Sequence, residues 1–256
     1  MNGYREVAAF YDRLTGDVDY APEQVLIAEM IREQVLRLLA DYGCAEPETV
    51  LDLACGSGSL SVELAQRGVD VIGVDGSADM LAKANEKAAA AGKPLLFLQQ
   101  DMRELDLYGT VDAAVCMLDS LSHLCRTADL REVFRRLHLF VAPGGLLIFD
   151  VNTPYKHREV LGDNAFVFEE DDFVCVWRNR LEERSGIVDM QLDFFVDSGG
   201  SYRRLTDTVR ERAYSRRTWE KLLADAGFGI EAVYGADMLS PPGPQEERWV
   251  FVTRRL

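Results

Sequence analysis

The sequence predicts an α/β fold: a doubly wound, mostly parallel sheet with an antiparallel β-meander inserted late in the chain. Three observations carry this expectation. From residue 49 to residue 151, short apolar runs alternate with segments of helical period, the pattern of parallel strands covered by helices. The first run ends in Cys55-Gly56-Ser57-Gly58, a glycine-rich turn from strand into helix. Between residues 173 and 212 the period falls to two, as in strands with one wet face.

Each element follows from local pattern. Residues 22–42 place Val25, Ile27, Ala28, Ile31, Val35, Leu38 and Leu39 mostly at helical spacing, with Pro22 early and Gly43 at the end, so a long amphipathic helix precedes the core. TVLDLA (49–54) and VDVIGVD (69–75) are buried strands flanking a helix at Leu60–Gln66. Ala78–Ala91 is helical, Leu95–Gln99 and Val111–Met117 are extended, Asp129–Phe140 is helical, and Gly145–Val151 is extended after the Pro143-Gly144-Gly145 turn. Further on, Val188, Met190, Leu192, Phe194 and Val196 alternate with Asp189, Gln191, Asp193 and Phe195. Ser185-Gly186 and Ser198-Gly199-Gly200 divide that segment into three runs, expected to sit above the core. A helix at Thr218–Ala226 and strands at Ile230–Tyr234 and Arg248–Thr253 resume the alternation. No composition shift marks a second folding unit, so residues 1–256 read as one domain, with 1–43 as an N-terminal lid and helix and about 155–213 as the insert.

Composition narrows the function classes. With 256 residues the chain can bury a sizeable core without disulfide or metal staples. Lys plus Arg number 28 against 43 Asp plus Glu, a formal net charge of −15, which repels a phosphate backbone at long range. The five cysteines, Cys44, Cys55, Cys116, Cys125 and Cys175, have no Cys-x-x-Cys spacing and read as reduced thiols of a cytoplasmic protein. Met1–Phe10 has neither a basic start nor an apolar run, and no apolar stretch approaches about 18 residues, so neither secretion nor membrane spanning is expected.

Alone, the Leu51–Gly58 turn is ambiguous. A dinucleotide fingerprint would close with a third glycine where Ser61 stands. Asp52 sets a carboxylate beside the turn, which repels a pyrophosphate and suits a cationic ligand. Both residues weigh against the rival reading of a nicotinamide-dependent oxidoreductase. Asp75 closes the second strand, where a short carboxylate accepts from both hydroxyls of a ribose, and Gln100-Asp101-Met102-Arg103 follows the third strand. Each element also has a plain structural reading, as an ordinary turn or a helix N-cap; their order at the tips of successive strands is what points to a ligand cleft.

VLDLACGSG (50–58), taken with Asp75 and Gln100–Arg103, resembles the motifs of the class I S-adenosylmethionine-dependent methyltransferases. The resemblance spans essentially the whole chain, and the layout is similar to small-molecule methyltransferases such as the deoxyaminosugar N,N-dimethyltransferases. It implies a seven-stranded Rossmann-like sheet whose last strand is antiparallel, S-adenosyl-L-methionine as cofactor, and direct in-line methyl transfer to an N or O nucleophile. By the same resemblance Tyr11, Tyr20, Asp52, Ala54, Cys55, Gly56, Gly58, Asp75, Gly76, Met80, Asp101, Met102 and Met117 bind the cofactor. Asp75 would take the ribose, Asp101 the adenine amino group, Met80 and Met102 the faces of the ring, and the two tyrosines would close over it as a lid.

Cys116–Leu124 follows the fourth strand and is expected to line the transfer path. His123 and Tyr11 are the candidate catalytic residues, and Asp119, His123 and Trp177 the candidates for acceptor binding. A histidine with an ordinary pKa near 6.5 can take a proton from an amine or hydroxyl, or hold it in line. The structural alternatives are that His123 caps the next helix and that Tyr11 and Tyr20 staple the first helix to the core. Cys116–Ser120 lacks the proline run of adenine-N6-methylating enzymes, and the similar Asn152-Thr153-Pro154-Tyr155 follows the fifth strand instead. Asp119, Asp150 and Asn152 imitate a divalent metal site, but no metal is expected. From 201 to 217, Arg203, Arg204, Arg210, Arg212, Arg216 and Arg217 outnumber Asp207 and Glu211, which reads first as a solvated face and second as a clamp for an acidic acceptor or transfer RNA. The partner expected is a small-molecule acceptor, with neither nucleic acid nor membrane, for a monomer or homodimer. The alternatives are a non-catalytic S-adenosylmethionine-binding module and a nucleic-acid-modifying methyltransferase.

Overall fold

A computed structural model describes residues 33–256. Residues 33–41 form helix α1, whose Val35, Leu38 and Leu39 are buried against Val50 and Leu64. The core then alternates as expected: β1 (Thr49–Leu53), α2 (Ser59–Gln66), β2 (Asp70–Asp75), α3 (Ala78–Ala90), β3 (Leu96–Gln99), β4 (Val111–Cys116), α4 (Thr127–Phe140) and β5 (Val141–Asn152). Strands β6 (Ala165–Glu169), β7 (Phe173–Glu182), β8 (Ile187–Asp197) and β9 (Tyr202–Arg212) follow, then α5 (Arg216–Asp225), β10 (Phe228–Tyr234) and β11 (Arg248–Arg255). Among the described residues no helix is long and apolar enough to cross a membrane.

Seven strands form one sheet in the order β10-β11-β5-β4-β1-β2-β3. β1 pairs in parallel with β2 and β4, β2 with β3, and β4 with β5. β11 runs antiparallel between β5 and β10, so the last strand is inverted as the resemblance implied. The strand order reverses beside β1, which opens a crevice at the carboxyl ends of β1, β2 and β4.

Successive residues of the central strands serve opposite faces, as strand geometry dictates. Leu51, Ala114, Cys116, Leu147 and Phe149 join one apolar core, whereas Val50, Ala113, Val115, Leu146 and Ile148 join the other. On the first face Trp219 of α5 is completely buried, with the rings of Phe134, Phe149, Tyr214 and Phe251 all centred within 6.5 Å of its own. Such aromatic contacts add about 0.5–1.5 kcal/mol each beyond burial.

Two expectations needed revision. The Pro143-Gly144-Gly145 segment is not a turn before β5 but an irregularity within it, where the pairing with β4 slips between Val111↔Val141 and Ala113↔Leu146. Gly144 takes φ 79°, and a Cβ on Gly145 would stand 2.6 Å from the Asp112 carbonyl oxygen, so glycines let the strand run through the bulge. The insert has four strands rather than three, in the order β6-β7-β8-β9, because the short edge strand β6 carries a five-residue alternation too brief to stand out in sequence. Its apolar face gathers Phe173, Cys175, Val188, Met190, Leu192, Phe194 and Val209. On β7 to β9, Arg178 and Arg204 pair with Asp193 and Arg210 with Asp189, which gives the arginine excess of this segment a structural role.

Candidate active site

The site begins where β1 ends. Ala54, Gly56 and Gly58 all take positive φ, at 60°, 55° and 75°, which turns the chain sharply into α2. A Cβ on Gly58 would lie 2.8 Å from Cβ of Ala84, so this position combines a left-handed backbone with close approach of α3. Behind the turn Asp52 is 3 % exposed and accepts a 2.5 Å hydrogen bond from Ser61 Oγ. Ser61, which broke the dinucleotide pattern, thus has a positive role: its hydroxyl fixes that carboxyl.

Burial pushes the Asp52 carboxyl up to about 6, reinforced by the charge of Asp75 and opposed by the hydrogen bonds of Ser61. A carboxyl whose folded value lies above its unfolded one stabilises the fold below about pH 4 and loses that contribution as pH rises through about 6. A rise of roughly two units corresponds to about 3 kcal/mol at neutral pH. Urea unfolding of the ligand-free protein across this window should show that decline, and Asp52→Asn should remove most of it; an unchanged pH slope in the variant would refute the assignment.

Asp75 closes β2 and organises the loop. Its Oδ2 accepts from the Gly56 amide at 2.9 Å and its Oδ1 from the Ser77 amide at 2.8 Å. Burial raises its pKa, against the lowering effect of these amides and of His123. Ser77 then caps α3 by accepting from the Met80 amide at 3.3 Å.

At the tip of β4 the backbone is strained: Leu118 and Asp119 take φ of 56° and 52°. Left-handed non-glycine residues cost about 1–3 kcal/mol each and persist where surrounding bonds hold them. Here the Asp119 amide donates to Asp150 Oδ2 at 3.0 Å and Ser120 Oγ to the Met117 carbonyl at 2.8 Å. The kink carries Leu118, Ser120 and His123 into the cleft.

Of the residues expected to bind cofactor, Ala54, Gly56, Asp75, Gly76, Met80 and Met102 line one cleft of about 660 Å³, counting space open to solvent. Leu53, Val74, Ser77, Gln100, Leu118, Ser120 and His123 complete its described wall. Leu118 and Ser120 fall within the Cys116–Leu124 segment expected to line the transfer path, whereas Leu53, Val74, Ser77 and Gln100 were not singled out because their residue types signal nothing; their place at strand ends is the signal. Asp52, Cys55, Gly58, Asp101, Met117, Asp119 and Trp177 stand outside that wall. Asp52 and Gly58 support it from behind. Cys55 donates its amide to the Val74 carbonyl at 3.0 Å, and Met117 belongs to the apolar core. Asp101 pairs with Arg103 at 2.5 Å, and Trp177 packs against Phe166 and Phe168 while donating to Asn179 Oδ1. Tyr11 and Tyr20 lie outside the described residues.

Next to the cleft is a polar cluster of which the sequence grouped Asp119, Asp150 and Asn152 but not their partners Arg248, Glu211 and His157. Arg248, from the start of β11, pairs with Asp150 and lies 3.3 Å from Asp119. The acids that imitate a metal site therefore hold a guanidinium. Burial acts against ionisation of Asp119, yet Arg248, Lys156, His123 and the Asn152 amide together hold its carboxyl below the usual carboxylate range. Asn152 Nδ2 donates to both Asp119 Oδ2, at 2.5 Å, and Glu211 Oε2, at 2.9 Å. The signal that was available is the phase of β9, where Asp207, Val209 and Glu211 share the buried face.

A mostly parallel sheet with a glycine turn and an acid at successive strand tips is the layout in which α/β folds bind nucleotide-like ligands at the strand ends. Comparison with known proteins sharpens this. Residues 50–145 match the family described as a methyltransferase domain. YqeM of Bacillus subtilis (strain 168), provisionally named a methyltransferase, is 36 % identical over 213 residues, covering 82 % of this chain and 85 % of its own. A glycine/sarcosine N-methyltransferase of Halorhodospira halochloris is 41 % identical over 193 residues, covering 73 % and 67 %. The crystal structure of an S-adenosylmethionine-dependent methyltransferase from Clostridium acetobutylicum ATCC 824 matches with a TM-score of 0.85 at 28 % identity, covering 98 % of both chains. Streptomyces venezuelae DesVI shares the fold, with a TM-score of 0.75 at 22 % identity over 95 % of this chain and 97 % of its own.

The chain belongs to the class I S-adenosylmethionine-dependent methyltransferases, as an enzyme whose cofactor is S-adenosylmethionine. The cleft's chemistry suits that cofactor: Leu53, Val74, Met80 and Met102 offer apolar surface of the kind a base packs on, and Asp75 offers an acceptor of the kind ribose hydroxyls take.

Proposed function

We propose that this methyltransferase modifies a small molecule, at a nitrogen or oxygen nucleophile brought beside His123. The observation that carries this reading is the position of His123, which with Asp75 supplies the ionisable side chains of the cleft's described wall. When bound, the cofactor supplies an electrophilic methyl group on a sulfonium. Asp52 and Asp75 favour that cation electrostatically, Gly56 and Gly76 admit it without a side chain in the way, and His123 orients the nucleophile or takes its proton. The Halorhodospira halochloris relative is, by its name, a methyltransferase of glycine and sarcosine, which are small molecules. The net charge of −15 points the same way, away from nucleic acid.

In-line orientation alone lowers a barrier by about 7–11 kcal/mol, whereas a general base contributes about 10²- to 10⁴-fold. His123→Ala is therefore expected to slow turnover by about that factor without abolishing it. The test is incubation with methyl-labelled cofactor and a cell extract separated by size: label should enter a low-molecular-weight product. Label in RNA or protein, or tight cofactor binding with no labelled product, would overturn the reading.

A further inference from the structure

Glu211, the last inward residue of β9, is 5 % exposed and sits at the boundary between the inserted sheet and the large one. Its Oε1 lies 3.8 Å from His123 Nδ1, and its Oε2 lies 3.7 Å from His157 Nε2 and accepts from Asn152 Nδ2 at 2.9 Å. Among the described residues, these two imidazoles supply its ion-pairing partners within 4 Å, since Arg248 is committed to Asp119 and Asp150. A buried carboxylate without a cation is costly.

A second observation points to what is missing. His157 is completely buried, and its Nδ1 stands 3.0 Å from the Gly186 carbonyl oxygen, an arrangement that places the ring proton on Nδ1. Nε2 faces a Glu211 carboxylate oxygen at 3.7 Å, beyond hydrogen-bond distance, and has no hydrogen-bond partner. Asn152 Oδ1, on a residue 2 % exposed, is a second buried acceptor without a donor. The cluster is rich in acceptors and negative charge, and short of N–H donors.

We infer that Glu211, His123, His157 and Asn152 form the seat of the acceptor's nucleophile, and that this nucleophile is an amine arriving as an ammonium ion. The inference rests on the small-acceptor reading above and deepens it. An ammonium brings positive charge and up to three donors, whereas a hydroxyl brings one donor and no charge. One N–H proton then passes to the His123 ring, the resulting imidazolium faces Glu211, and the lone pair stays on the amine nitrogen. Glu211 acts through His123 and is a positioning residue.

Histidine-ring NMR tests this on the full chain, because the protein has three histidines, His123, His138 and His157. With S-adenosylhomocysteine saturating, methylammonium chloride should shift the His123 and His157 signals saturably, while methanol at the same concentration should not. Glu211→Gln should weaken that response about tenfold or more, and Glu211→Asp should restore part of it. Unsaturable shifts, an equal response to methanol, an unchanged response in Glu211→Gln, or a His157 ring carrying both protons before any probe is added would each overturn the proposal. Comparing methylammonium with methanol on the wild type decides the charge requirement even if Glu211→Gln does not fold. Failure of S-adenosylhomocysteine to bind the wild type would instead remove the cofactor reading, and this proposal with it.

Discussion

Replacing Arg248 by methionine is expected to lower the free energy of unfolding at neutral pH by about 3–5 kcal/mol, the usual result of stripping a buried ion pair of one partner. Asp150 is completely buried, the Asp119 side chain is 18 % exposed, and Arg248, which they face, is itself 6 % exposed, so water is a poor replacement for the guanidinium. Asp119 is held below the usual carboxylate range mainly by this arginine, against burial. A carboxyl with a lowered folded value stabilises the fold above its unfolded pKa and loses that contribution as pH falls through the folded value. In Arg248→Met the largest counterweight to burial is gone, so the Asp119 carboxyl moves up and the variant's deficit relative to wild type should narrow as pH is lowered. Adding Asp150→Asn to Arg248→Met should restore part of the loss. Urea unfolding measures all three proteins, and a loss below about 1 kcal/mol for Arg248→Met would show that the pair is not a buried keystone.

Asp75→Ala should weaken binding of S-adenosylhomocysteine by about a hundredfold or more. The change removes an acid from the cleft wall and also the acceptor for the Gly56 and Ser77 amides, at 2.9 and 2.8 Å, which shape the glycine turn and the start of α3. Hydrogen bonds to a charged group contribute about 1.5–3 kcal/mol each, and tenfold in affinity is about 1.4 kcal/mol. Isothermal titration calorimetry reads the outcome; affinity within tenfold of wild type would overturn the ribose-binding role proposed for Asp75.

The parallel core was legible because each strand is a short apolar run and each helix has its own period, so local pattern and topology agree. The first half of the cleft was legible for the same reason: Gly56, Asp75 and Gly76 lie just at or beyond strand ends, where residue type and position both carry meaning. The polar cluster was legible only in Asp119, Asp150 and Asn152. Asn152, His157, Glu211 and Arg248 come from β5, the turn after it, β9 and β11, and sequence spacing says nothing of their meeting. Strand β6 escaped because Ala165–Glu169 is short and partly exposed, and the bulge in β5 because Pro143-Gly144-Gly145 is equally good chemistry for an ordinary turn.

The inverted strand β11 has a temporal consequence. β1 to β5 are synthesised before β11, so Asp150 can gain its Arg248 partner only after the insert, α5 and β10 have also been made. β10 has no neighbour in the large sheet until the same strand slides in beside it. One late segment therefore latches a free edge and quenches an interior anion in a single docking event.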